Sequence, residues 1–128
     1  LLSMLFERTA IEEMKHVERL GERVLFLGGD VEMAVSEKVT KIQDVKSMLE
    51  MACNMETQSA RDYNLWANEC SANADSGSKK VFEALVDDEE RHFSQYDLEV
   101  QKINKYGAQY LALQSVEGSK GAPAETAE

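Results

Sequence analysis

Only one of the 128 residues is a proline, Pro123, so nothing ahead of it bars the chain from long uninterrupted helices. Alanine, leucine, glutamate, lysine and methionine recur throughout and favour helix. Hydrophobic residues make up 43%, which argues against disorder and, at this length, for one domain with a single core. The fold class expected is all-α.

Three segments carry the three- and four-residue apolar spacing of a helix that faces a core. The first, about residues 2–27, has the stripe Leu2, Phe6, Thr9, Glu13, His16, Leu20, Val24 and Leu27, and Gly28-Gly29-Asp30 stops it. The second, about 42–71, has Val45, Leu49, Ala52, Glu56, Ala60, Tyr63, Ala67 and Cys70. The third, about 79–105, has Phe82, Leu85, Glu89, His92, Tyr96, Val100 and Ile103. Residues 30–41 between the first two read as an extended connection. A stretch of that length can span about 45 Å, comparable with the roughly 40 Å of the preceding helix, and so can cross the whole bundle. The second helix would then run parallel to the first. The turn-rich residues 71–78 force an antiparallel return. After Tyr106-Gly107 a short helix is expected over about 108–116. A helical domain of residues 1–117 would thus be followed by a flexible tail, 118–128, rich in Gly, Ala, Ser and Thr.

Each stripe is interrupted at its centre by ionisable groups. Both histidines of the chain lie in Glu-x-x-His, as Glu13-Met14-Lys15-His16 and Glu89-Glu90-Arg91-His92. On a helix, positions three apart share a face, so each motif aims a carboxylate and an imidazole at one volume. Glu56 falls on the apolar face of the helix between them. A buried unpaired carboxylate costs several kcal/mol, and converging ones repel one another. A bound cation removes that conflict. The mixed carboxylate and imidazole set Glu13, His16, Glu56, Glu89 and His92 suits iron, manganese or zinc. Two divalent cations bring four positive charges, which these three carboxylates do not quite neutralise. The plain alternative is chance pairing in a glutamate-rich helical chain, and the central position of both motifs weighs against it. Met14 lies about 100° round the helix from Glu13, outside this face, where a helix or dimer contact is its ordinary role. Glu12, Lys15 and Glu18 are expected to face water.

The formal charge of −10 disfavours binding to nucleic-acid backbones and anionic membranes and favours cations. Leu1 to Phe6 is too short for a membrane span before Glu7-Arg8 interrupts it, and no cleavage pattern of a secretion signal follows. Cys53 and Cys70 fall on one helix about 25 Å apart and cannot bridge, which fits a reducing cytoplasm. No Gly-rich phosphate loop, nucleophile elbow or basic-aromatic patch is present.

At Ile11-Glu12-Glu13-Met14-Lys15-His16, Glu18-Arg19, residues 22–27, Glu56, Asp88-Glu89-Glu90-Arg91-His92 and residues 106–111, the chain resembles a bacterioferritin. The resemblance covers nearly everything up to Val116. It implies a ferritin-like bundle with a long crossover, assembled by two-fold dimers into a hollow 24-subunit shell that stores ferric mineral. It also implies ferroxidase activity, the oxidation of ferrous iron by oxygen or peroxide at a di-iron site. Carried over by position, Glu13 and Glu89 bridge the two irons, His16 and His92 each hold one, and Glu56 joins the iron held by His92. Met14 matches the methionine that, with its twin across a two-fold interface, ligates a shared haem. The family's bundle has a further long helix ahead of these, bearing the remaining terminal carboxylate on the His16 iron; these residues contain no counterpart, so an apolar groove is expected to stay open. Two other functions stand beside this one: a different ferritin-like di-iron protein such as a peroxide scavenger, and a non-catalytic helical assembly subunit.

Overall fold

The computed structural model describes residues 1–120 and contains, within them, four helices and no strand: α1 (Leu2–Phe26), α2 (Val45–Ala72), α3 (Ser76–Tyr106) and α4 (Ala108–Lys120). The expected all-α architecture of three long helices and a short one is what is observed. The boundaries shift where side-chain caps decide them. Asp44 accepts a hydrogen bond from the Ser47 N–H at 2.9 Å, so α2 starts at Val45 and not at Ile42. Asp75 does the same for the Ser78 N–H at 3.0 Å, which turns Ser76-Gly77-Ser78 from an apparent loop into the first turn of α3. Beyond α1 the chain turns at Gly28, whose φ of 83° suits glycine, with its N–H bonded to the Leu25 carbonyl. Gly107, φ 61°, makes the break between α3 and α4. Helix α4 runs to Lys120, a few residues into the segment read as a tail; the rest of that segment lies outside the described residues.

Helices α2 and α3 form the most extensively packed pair, antiparallel across the short turn at Asn73 to Asp75. Helix α1 lies against α3. Near its start, Leu5 packs into one cluster with Leu49 of α2 and Tyr96 and Ile103 of α3. Near its end, Arg23 hydrogen-bonds Asp75 and Ser78 at the other end of the α2–α3 pair. Both ends of α1 therefore match the corresponding ends of α2, and the two run parallel. The connection between them travels the length of the bundle on its outside, with Val35 and Val39 exposed. This is the expected crossover.

The apolar core, Leu5, Leu49, Cys53, Tyr96, Ile103 and Tyr110, gathers at the end of the bundle where α4 docks. Tyr110 anchors α4 by donating its hydroxyl hydrogen to Glu99. Towards the other end α1 is held by polar contacts. Arg23 donates from Nε to Ser78 Oγ and from Nη2 to Asp75 Oδ1, each at 2.9 Å. A Cβ at residue 77 would overlap Arg23 Nη2, so the guanidinium keeps this place only while residue 77 is glycine and would have to shift otherwise.

Helix propensity alone makes Gly77→Ala stabilising by about 1 kcal/mol at most. Here it displaces Arg23 from both partners, so Gly77→Ala is expected to lower the Tm followed by circular dichroism. In an Arg23→Ala background, where the obstruction is gone, the same substitution is expected to raise it.

Candidate metal centre

The residues that interrupt the three stripes converge. Glu13 of α1, Glu56 of α2, and Glu89 and His92 of α3 each offer a ligand atom, and these atoms all lie within 4.8 Å of one another. His16 of α1 joins them, its Nδ1 3.1 Å from Glu89 Oε1 and 3.3 Å from Glu13 Oε2. The structure thus brings all five candidate ligands into one cluster. Glu89 and His92 are almost completely buried, at 1% and 0% exposure. Met14, the sixth candidate, stands apart on the outer face of α1 with 59% exposure.

Their contacts divide unevenly. His92 Nδ1 lies 3.0 Å from Glu13 Oε1, 3.6 Å from Glu56 Oε2 and 3.8 Å from Glu89 Oε1. Glu13 and Glu89 therefore touch both imidazoles, whereas Glu56 approaches His92. The two rings stack with centroids 5.9 Å apart. Each of the five side chains keeps one buried polar atom with no hydrogen-bond partner: Glu13 Oε1, His16 Nδ1, Glu56 Oε2, Glu89 Oε1 and His92 Nδ1. Among the described residues one other buried side-chain atom, Gln114 Oε1, shares that condition. Buried polar atoms are normally satisfied, so five orphans pointing at one volume make this cluster a candidate cation site. Oxygen and imidazole nitrogen donors suit divalent iron, manganese or zinc.

The far nitrogens of both rings are fixed by carboxylates that the stripe pattern did not find. His16 Nε2 lies 3.0 Å from Asp88 Oδ2, and His92 Nε2 lies 2.8 Å from Glu12 Oε2. An ionised carboxylate only accepts, so each Nε2 carries the hydrogen and, in the neutral ring, Nδ1 is left as a lone pair facing the cluster. Glu12 was expected to face water; its partners are instead His92 and Arg91. The missed signal is a doublet: the glutamate of each Glu-x-x-His follows another acid, Glu12-Glu13 and Asp88-Glu89. Which far histidine such an acid holds is a tertiary fact.

Protonation follows from crowding. Burial, reinforced by Glu56 and Glu13, pushes the Glu89 carboxyl up to about 9. Burial opposes charge on His92, but the carboxylates of Glu13, Glu56 and Glu12 prevail and lift it to about 10. The Arg91 guanidinium, then His92, holds Glu12 down at about 2. Burial would raise Glu13, yet the bond from His92 and the charges of both histidines bring it below its usual range. Burial and the charges of Glu89, Glu13 and Glu56 push Tyr63 up to about 12.

Two cavities reach the cluster. One of about 340 Å³ lies between α1 and α2, walled by Phe6, Ala10, Met48, Met51 and Met55, with Glu13 and Glu56 also in its lining. Thr40 and Ile42 of the connection and Tyr96 of α3 also line it. The other, about 360 Å³, passes Thr57, Glu90 and Ser94 between α2 and α3 to Glu56 and Glu89.

Comparison with known proteins identifies the family and the fold. The model of a family described as the ferritin-like domain matches residues 2–106. A bacterioferritin of Desulfovibrio desulfuricans is 29% identical over 103 residues, 80% of this chain and 58% of the relative. One from Rhodobacter capsulatus is 28% identical over 104 residues, 81% and 65% of the two chains. One from Brucella melitensis is 29% identical over 98 residues, 77% and 61%. The chain therefore spans about three fifths of the length of the curated relatives it matches. An X-ray structure of the Desulfovibrio desulfuricans bacterioferritin, from work on its diiron site in different catalytic states, superposes with a TM-score of 0.80. It has 28% identity and covers 94% of this chain and 67% of the other.

The raised groups set a pH dependence. Glu89 moves from 4.5 to about 9 and His92 from 6.5 to about 10, so the stability each contributes is complete below its unfolded value and is lost as pH rises through its folded one. The metal-free protein is expected to lose Tm from about pH 4.5 to about pH 10, most steeply between 6.5 and about 9 where both groups contribute. Binding of a divalent cation displaces both protons. At about pH 7, zinc added to weakly buffered protein is expected to release on the order of two protons per chain and to flatten the Tm profile.

Proposed function

The chain belongs to the ferritin-like domain family, and from that premise we propose that it is an iron-storage ferroxidase. Its substrate is ferrous iron, its oxidant oxygen or peroxide, and its product ferric mineral kept within an oligomeric shell of its own copies, 24 in the bacterioferritin pattern. The observation that carries this is the set of five orphaned buried atoms on Glu13, His16, Glu56, Glu89 and His92. Iron bound there supplies the electrons, one from each ferrous ion.

The side chains have separable tasks. His16 and His92 present neutral Nδ1 atoms, each to one cation, because Asp88 and Glu12 hold the opposite nitrogens. Glu13 and Glu89 contact both imidazoles, which supports a bridging place for each. Glu56 approaches His92 alone of the two histidines, which supports its pairing with the His92 cation. The three carboxylates supply three negative charges against four, so the His16 cation is the less well compensated. The methionine-walled cavity between α1 and α2 opens onto Glu13 and Glu56, and in the bacterioferritin pattern a carboxylate from a further helix would complete the set. Glu89 takes up a proton when a cation leaves and keeps the vacated cluster from repelling itself.

Haem is the second cofactor we propose, held by Met14 and the same residue of a second copy. Its thioether is exposed on the face of α1 turned away from the cluster, alongside exposed Ile11 and Val17. We place the protein in a reducing cytoplasm on its free Cys53 and Cys70. Among the described residues no helix is long and apolar enough to cross a membrane.

Glu13→Ala combined with His92→Ala is expected to reduce ferrous oxidation, followed as ferric absorbance, by about two orders of magnitude or more, and to abolish tight iron binding measured on the purified protein. Met14→Leu is expected to remove the visible haem absorption and to leave ferrous oxidation intact.

A further inference from the structure

We propose that Arg91 is a positioning residue for both candidate metal-ligating histidines at once, because it braces the two carboxylates that accept their Nε2–H bonds. The inference rests on the di-metal function proposed above and assigns a role to a residue outside the ligand set.

The contacts form a continuous chain across α1 and α3. Glu12 on α1 holds His92 on α3, and Asp88 on α3 holds His16 on α1. One guanidinium closes the pair. Arg91 donates from both terminal nitrogens to Glu12 and from Nη2 to Asp88 Oδ1 at 3.1 Å. Glu12 Oε2 accepts from Arg91 Nη2 and from His92 Nε2 together. The order His16, Asp88, Arg91, Glu12, His92 is unbroken.

Exposure explains why the brace matters. The histidines are 6% and 0% exposed, but Glu12 and Asp88 are 25% and 37% exposed and have water to turn to. Left alone beside three further carboxylates, both would be driven outward by like-charge repulsion. Arg91 supplies a permanent positive charge and a planar set of donors that can serve two acceptors in fixed directions. With Glu12 and Asp88 pinned, each imidazole is fixed in ring angle and in the position of its hydrogen, and so each Nδ1 lone pair keeps its aim. A lysine at 91 would keep the charge and lose the fork. Because the same guanidinium touches both carboxylates, its loss acts on both histidines and not on one.

Cobalt(II), titrated into the metal-free full chain and followed by its visible bands, tests this. Arg91→Gln is expected to weaken both binding steps about tenfold or more and to shift the bands, while Arg91→Lys restores part of the affinity. Arg61→Gln, at an exposed position on α2, is expected to match the wild type. In a Glu12→Gln, Asp88→Asn background, Arg91→Gln is expected to add no further loss, because the groups it acts through are gone. Unchanged affinity and bands in Arg91→Gln, weakening of one step alone, or a further full loss in the double background would overturn the inference. If the wild type bound no cobalt, the di-metal function would fall, and this inference with it.

Discussion

Three carboxylates, two of them buried and one half-buried, held against two imidazoles form the interaction on which the rest of this structure depends. Glu13, Glu56 and Glu89 come from three different helices, and Glu89 is effectively cut off from water. Without a cation the cluster stays folded by holding protons, on Glu89 and His92, that neither group would keep in water. The same crowding suits the arrangement to a divalent cation, since a bound ion would replace the proton that burial and neighbouring carboxylates keep on Glu89 and the one that carboxylates keep on His92.

The fold is divided around that centre. At one end an apolar cluster of Leu5, Leu49, Tyr96, Ile103 and Tyr110 ties all four helices together. Beyond it α1 is attached mainly by polar links to α3 and the preceding turn: Glu12 with Arg91 and His92, His16 with Asp88 and Glu89, and Arg23 with Asp75 and Ser78. Two of those three links are also the links that orient the histidines. Seating of α1 and orientation of the two histidines are therefore one event, and a cation bound between Glu13 and Glu89 would itself fasten α1 to α3.

Much of this was legible in the sequence because a functional residue in a helix stripe breaks the apolar pattern. Glu13, His16, Glu56, Glu89 and His92 are visible for that reason, and the parallel course of α1 and α2 is visible in the length of the link between them. Glu12 and Asp88 were not legible, since an acid next to the stripe looks the same whether it meets water or a histidine about 80 residues away. Arg91 is hidden likewise. The starts of α2 and α3 slipped by three residues because Asp44 and Asp75 each act through a side-chain cap, and Ser76-Gly77-Ser78 carries turn composition while forming a helical turn. The glycine at 77 serves the guanidinium of Arg23, a contact with no local signature.

The central claim is that these five residues hold two irons between α1, α2 and α3. Anomalous diffraction at the iron edge, from crystals of the chain soaked anaerobically in ferrous salt, tests it most directly. The account predicts two peaks, one beside His16 Nδ1 and one beside His92 Nδ1, with the carboxylates of Glu13 and Glu89 between them. A single peak, or iron bound elsewhere while the five side chains remain bare, would contradict it.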